Sequence, residues 1–256
     1  MFGKRNRPVQ PEPPRTGGTT SGQSPGGGPP PADDMPWASD PAAVACNLAF
    51  GNLANNLASW VEHEGRVHSE TYVAVSGAIA GYAAQKSLMQ DPGAMLQAVR
   101  TASGEEYLFG DALNEMLLAR TDADAPARVL SRAAGAAVSV GMPMSAVPKL
   151  DDMFGHVSAC LGGPMEGRPS SGPDHQPIVP VRELLALYWP HVLRVLRGDI
   201  DDLHRRMGLV PPRLWRAVTA YASARPIIDV KEVLDPRVAL IIAMESAIYG
   251  SKLTRL

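Results

Sequence analysis

The sequence has little of what usually announces a function. Aromatic residues are only 5% of its 256 positions. A core built on large rings is therefore not expected, and alanine-rich helices that pack closely fit the shortage. Cysteine occurs twice, at Cys46 and Cys160, without metal-type spacing. That excludes a cysteine-rich metal fold and leaves at most one disulfide; buried thiols in a reducing compartment are the expectation. There is no excess of one charge: the net charge is −2, which gives the whole molecule no reason to seek a polyanion. The start, MFGKRNRPVQPEPP, lacks the apolar run of a secretory signal. No stretch reaches the roughly 20 apolar residues of a membrane span. The expected location is cytoplasmic, with no membrane partner. A GxSxG elbow, a Walker A loop, a Rossmann glycine fingerprint and a CxxC pair are all missing. Those gaps count against the common enzyme classes. Nothing in the sequence asks for a cofactor. There is no repeat of fixed period and no strand–helix alternation.

What is there begins with a contrast. Residues 1–38 are rich in Pro, Gly, Ser and Thr, with Gly26-Gly27-Gly28-Pro29-Pro30-Pro31 as the extreme. Such a segment cannot bury enough apolar surface to offset its ordering entropy, and a disordered tail is predicted. Lys4, Arg5, Arg7 and Arg15 make its start basic. The remainder, 39–256, holds the stretch the chain is organised around, Glu70–Lys86. No charged side chain lies between Thr71 and Ala84. A helix apolar on every side belongs in the middle of a domain. Val73, Gly77, Ala80, Gly81 and Ala84 fall on one small, nearly flat face; Tyr72, Val75, Ile79 and Ala83 fall on another. Gly77 and Gly81 would let a second backbone approach closely, inside the chain or across an interface with another copy.

Around this helix the punctuation predicts others. Asp40 and Pro41 mark the start of one that Gly65 ends, the two helices forming a hairpin. Asp91-Pro92 starts another, reaching about Arg100. Glu105–Phe109 reads as a short strand. Helices follow from Asp111 to Arg120, from Pro126 to Val140, and from Ser145 or Lys149 to Leu161. The loop 162–177, dense in Gly and Pro, reads as a mobile excursion or a sub-domain boundary. Helices near 180–197, 200–207, 211–224 and 235–250 complete an all-α, multi-helix bundle.

Several clusters could carry chemistry. Glu62, His63, Glu64, His68 and Glu70 crowd the corner before the central helix. His63, His68 and Glu70 are candidate metal ligands or acid–base groups, although no HExxH spacing is present. The alternative is that His63 and Glu70 only complement helix dipoles. Asp152 and His156, four apart, could share a ligand. Asp199-Ile200-Asp201-Asp202 begins like a calcium loop, but His204 and Val210 stand where that loop needs Gly and Glu. The segment Asp202–Arg225 is similar to a helix-turn-helix over 24 residues, with Arg205, Arg206, Arg213 and Arg216 as candidate nucleic-acid contacts. Pro211-Pro212 at the entry to the second helix and the preceding aspartates depart from that pattern. Glu245, in an apolar run, needs a partner, for which a structural salt bridge is the expectation.

The stretches ETYVAVSGAIAGYAAQ and DPRVALIIAMESAIYGSK, roughly an eighth of the chain, resemble pieces of uncharacterised bacterial helical proteins. That resemblance implies no activity. The reading that follows is a non-enzymatic interaction or scaffolding protein with a protein partner or self-association through Gly77 and Gly81. A DNA-binding regulator and a metal-dependent or acid–base enzyme are the alternatives.

Overall fold

A helix that must be buried on every side finds that position in the computed structural model, which describes residues 35–118 and 127–256. Nine α-helices lie among the described residues, with two short antiparallel hairpins, so the chain is all-α. The central helix, α2, runs Ser69–Leu88, and seventeen of its twenty residues are buried. It packs most extensively against α9 (Pro236–Lys252) and α8 (Trp215–Asp229). The last helix is almost as enclosed, buried from Ala239 to Lys252. Gln85 joins the two ends: its carboxamide nitrogen donates to the carbonyls of Ser251 and Leu253, at 2.8 and 2.7 Å. These acceptors would otherwise be orphans at the end of α9.

Helix α1 (Ala43–Val61) packs mainly on α8 and on α6 (Val181–Leu196), with fewer contacts to α2. Asp40 accepts the Ala42 N–H at 2.9 Å, as a cap would, but α1 begins two residues later than Pro41. Its end differs more. The helix stops at Val61, and β1 (Glu62–His63) and β2 (Arg66–Val67) form a tight hairpin. Glu64 and Gly65 both have positive φ, 51° and 74°, the geometry of the two-residue turn that matches strand twist. Gly65 is left-handed as expected, in a hairpin rather than a helix cap.

The helix expected from Asp91 is a correction. Asp91 Oδ1 accepts the Gly93 N–H at 2.9 Å and makes a local turn. Residues Gln97–Arg100 then form β3, paired with β4 (Glu106–Phe109). Helices α3 (Asp111–Leu117), α4 (Val129–Ser139) and α5 (Leu150–Cys160) follow, with a 3-10 turn at Met144–Ala146. Arg120 and the Pro126 start lie outside the described residues. Helix α7 is short, Asp202–Met207, and a 3-10 turn at Pro212–Leu214 leads into α8.

The expected tail boundary also moves. Residues 1–34 lie outside the described residues, but Met35 and Trp37 belong to the core at 6% and 1% exposure. Trp37 Nε1 donates to Asn47 Oδ1 at 2.8 Å, and its ring meets Tyr221 edge-on at 5.2 Å. A large ring with a partner for its N–H is worth burying, and it draws the chain in ahead of residue 39. The 162–177 loop does not divide the fold, because α5 before it and α6 after it both pack on α9. Among the described residues no helix is long and apolar enough to cross a membrane.

Candidate functional site

The densest buried chemistry lies where the 162–177 loop crosses α9. Glu245, buried to 2% exposure on that helix, accepts the backbone N–H and the hydroxyl of Ser170, both at 2.6 Å. His156 of α5 stands 3.7 Å away and holds its Nε2 on the Arg168 carbonyl at 2.9 Å. A carbonyl only accepts, so Nε2 carries the proton. Cys160, one helical turn on, has its sulfur 3.8–3.9 Å from the same ring. Burial pushes the Glu245 carboxyl above its ordinary range against the Ser170 bonds and the His156 charge that pull it down. Burial, and then the Glu245 charge, raise the Cys160 thiol.

Thiol, imidazole and carboxylate in this order resemble the parts of a nucleophile relay. The electrostatics run the other way. A reactive thiol is depressed by positive surroundings, whereas this one is raised by burial and an acid. The cavity at the cluster, lined by Cys160, Arg168, Glu245 and Tyr249 among others, has a volume of about 10 Å³. That holds about one water and no substrate.

A second carboxylate, Glu166 of the loop, is met by four donors. Tyr107 donates at 2.6 Å, the Gly162 N–H at 2.8 Å and Arg182 at 3.1 Å; the Tyr249 hydroxyl also donates. Burial works to raise this acid, but the bonds from Tyr107, Tyr249, Gly162 and Arg182 outweigh it and hold it below its usual range. Burial and the bond to Glu166 raise the Tyr107 phenol to about 12. The rest of the loop is tied down as well. Arg168 donates to the Pro177 carbonyl, and the Gln176 carboxamide bonds Pro169 and Gly172. The loop is a strap closed over α9, fastened by polar contacts.

The corner residues are only partly brought together. His63 is exposed and lies 3.9 Å from Glu64. His68 caps α2 through Nδ1, which accepts the Thr71 N–H at 3.3 Å, and its Nε2 lies 3.5 Å from Glu70. Glu70 also meets His175 of the strap at 3.1 Å, a residue that no spacing in the sequence links to the corner. Among the described residues no three His, Cys, Asp or Glu side chains are grouped so as to hold a metal ion. Asp152 is exposed and not engaged with His156.

The helix-turn-helix arginines are spread out. Arg205 pairs with Asp202 at 2.7 Å, Arg206 bonds the Asp202 carbonyl, and Arg213 pairs with Asp40 at 2.5 Å. Arg216 turns toward Met116. Helix α8, which would have to read bases, is buried without interruption from Ala217 to Ser223. A reading helix must offer a face to a groove, and here that face lies against α1, α2 and α4.

Gly77 and Gly81 meet α9 inside the chain. A Cβ at Gly77 would collide with the backbone of Ala243, and one at Gly81 with that of Ala247. Gly250 returns the contact against Ala78, whose carbonyl oxygen would lie 2.6 Å from an added Cβ. The close approach anticipated from their spacing is therefore spent between α2 and α9, and a second copy cannot use it.

Helix α7 is the opposite case. None of its residues is buried, yet Leu203 and Met207, four apart on one face, are 46% and 42% exposed, and Leu209 just beyond is 57% exposed. In a helix-turn-helix these residues would form the core. No spacing in the sequence marks the Glu166 cluster, because its members stand at 107, 166, 182 and 249. Comparison with protein-family models, with curated proteins and with solved structures finds no match to the chain.

Proposed function

We propose that this is a non-enzymatic interaction protein of the cytoplasm that associates with a second copy of itself through α7. The observation that carries the reading is a helix with no buried residue that still bears Leu203 and Met207 on one face. The helix touches α1 and encloses the His204 ring, but no residue of it is buried, and neighbouring apolar side chains left this open on a surface mark contacts with other molecules. The charges fit a two-fold contact. Asp201 and Asp202 open the helix, and Arg205 and Arg206 close it. Antiparallel pairing of two α7 helices would set each acidic end against a basic end, with the apolar pair between them. The carboxylates with perturbed acidity favour this reading over catalysis, since Ser170 and the Glu166 donors already occupy them.

Sedimentation velocity of the full chain across concentrations tests it. The expected result is a reversible shift from monomer to dimer, lost in Leu203→Asp with Met207→Asp, while the far-ultraviolet spectrum is unchanged. A monomer at every concentration up to about 1 mM would sink the self-association. Stoichiometric metal in the same sample would turn attention back to His68, Glu70 and His175.

A further inference from the structure

Helix α1 contains Asn47, Asn52, Asn55 and Asn56, an unusual load of a residue that disfavours helix interiors. Asn47 is explained by its bond to Trp37. Asn52 and Asn56, with Trp60 one turn further, form a row along α1 at four-residue spacing. Opposite them α6 presents His191, Arg194 and Val195. Between the two rows, and lined also by Ile200, is an open cleft of about 210 Å³. It compares with about 10 Å³ at the Glu245 cluster. By the same measure, in which about 10–15 Å³ admits one water, the cleft has room for a molecule the size of a monosaccharide.

Its groups are in want of partners. Asn52 Oδ1 is shut off from solvent and has no hydrogen-bond partner among the described residues. Arg194 gives only its Nε to the Asp199 carbonyl, at 3.3 Å. Arg182, Arg205, Arg213 and Arg225 each face a carboxylate; among the described residues none faces Arg194. Trp60 and His191 lie together with ring centroids 5.8 Å apart, one wall of flat apolar surface with a polar edge.

A planar guanidinium with open terminal nitrogens suits a carboxylate or a phosphate. Carboxamides suit hydroxyl groups, since each both donates and accepts. A polyanion would find only one open guanidinium. We infer that the cleft between α1 and α6 binds a small hydroxylated anion, a sugar acid or a sugar phosphate, with Arg194 on the anionic group and Asn52 and Asn56 on the hydroxyls. Trp60 lies against the carbon face of the ring. No residue of α7 lines this cleft.

Calorimetric titration of the full chain with D-glucuronate, glucose 6-phosphate, neutral D-glucose and inorganic phosphate tests the inference. One of the two sugar anions binds, and which one separates the two sources. D-glucose and inorganic phosphate bind about tenfold more weakly or not at all, because each lacks half of the recognised chemistry. Arg194→Met and Asn52→Ala each weaken the sugar anion by about tenfold or more. Arg194 is exposed and Asn52 only partly buried, and circular dichroism checks that each variant is folded. Absence of binding by both sugar anions at about 10 mM would overturn the inference. So would D-glucose binding as well as D-glucuronate, or Arg194→Met binding like the wild type.

Discussion

Helix α9 is covered by two kinds of surface. Along α2 it meets a seam of small residues, where Gly77 lies on Ala243, Gly81 on Ala247 and Gly250 on Ala78. Under the strap it meets side chains that hydrogen-bond: Ser170 on Glu245, and Glu166 on Tyr249. The seam holds by shape. It has no charge to titrate and no room for a methyl group, so it responds steeply to volume. The strap holds by polar contacts made in a dry place, which are worth little net and are expensive to leave half made. One helix is therefore fixed by a contact that pH cannot reach and by another that pH can loosen.

Breaking the seam has the largest expected effect. Gly81→Val drives a branched side chain into the Ala247 backbone and is expected to cost about 3 kcal/mol or more in denaturant unfolding, or to prevent folding.

Lys252 sharpens the comparison at the end of α9. Its ammonium is buried, 4.2 Å from the centre of the Phe109 ring, and burial pushes its pKa down to about 8 from 10.5. The unfolded chain binds the proton more tightly than the folded one between those values, so this group makes stability rise as pH rises from about 8 to 10.5. The gap corresponds to on the order of 3 kcal/mol against the charged form at neutral pH. Lys252→Met should gain about 2 kcal/mol at pH 7, once the lost ring contact is taken off, and should abolish that rise.

Breaking the strap comes next. Glu245→Ala leaves the Ser170 N–H and hydroxyl without an acceptor and is expected to cost about 2 kcal/mol. The two acids that fasten the strap, Glu245 of α9 and Glu166 of the loop, have opposite pH signatures. Glu245 is raised when folded, so its contribution is complete at low pH and fades as pH rises from the usual carboxylate range through its raised value. Glu166 is lowered, so its contribution is complete above the usual range and fades as pH falls through its lowered value. Unfolding midpoints of Glu245→Gln and Glu166→Gln across acid pH should each lose one of these two slopes.

A glycine away from the seam gives the smallest effect, with the opposite sign to Gly81→Val. Nothing lies near a Cβ added at Gly51 of α1. Gly51→Ala is expected to stabilise by roughly 0.5–1 kcal/mol in the same unfolding measurement.

The seam could be read in advance because everything it needs is local. The absence of charge from Thr71 to Ala84 shows that the helix is central, and two glycines four apart show where a backbone approaches. Which helix approaches was not local information. The strap could not be read at all: Glu166 gathers Tyr107, Arg182 and Tyr249, and Glu70 gathers His175, from positions that only the tertiary fold joins. Glu245 lies between these cases. Its need for a partner follows from an acid in an apolar run, but the partner is a serine on a loop, which no periodicity marks. The false helix at 91–100 has the same origin. Asp91-Pro92 is a fair start signal, and it lost to pairing with residues 106–109.

Amide hydrogen exchange on the wild type and Glu245→Gln tests most directly whether seam and strap are separate supports of α9. With independent supports, the variant loses protection at Ser170 and its strap neighbours, while α2 and α9 keep theirs. Loss of protection in α2 and α9 to the same degree as in the strap would contradict the account, because the two coverings would then be a single cooperative unit.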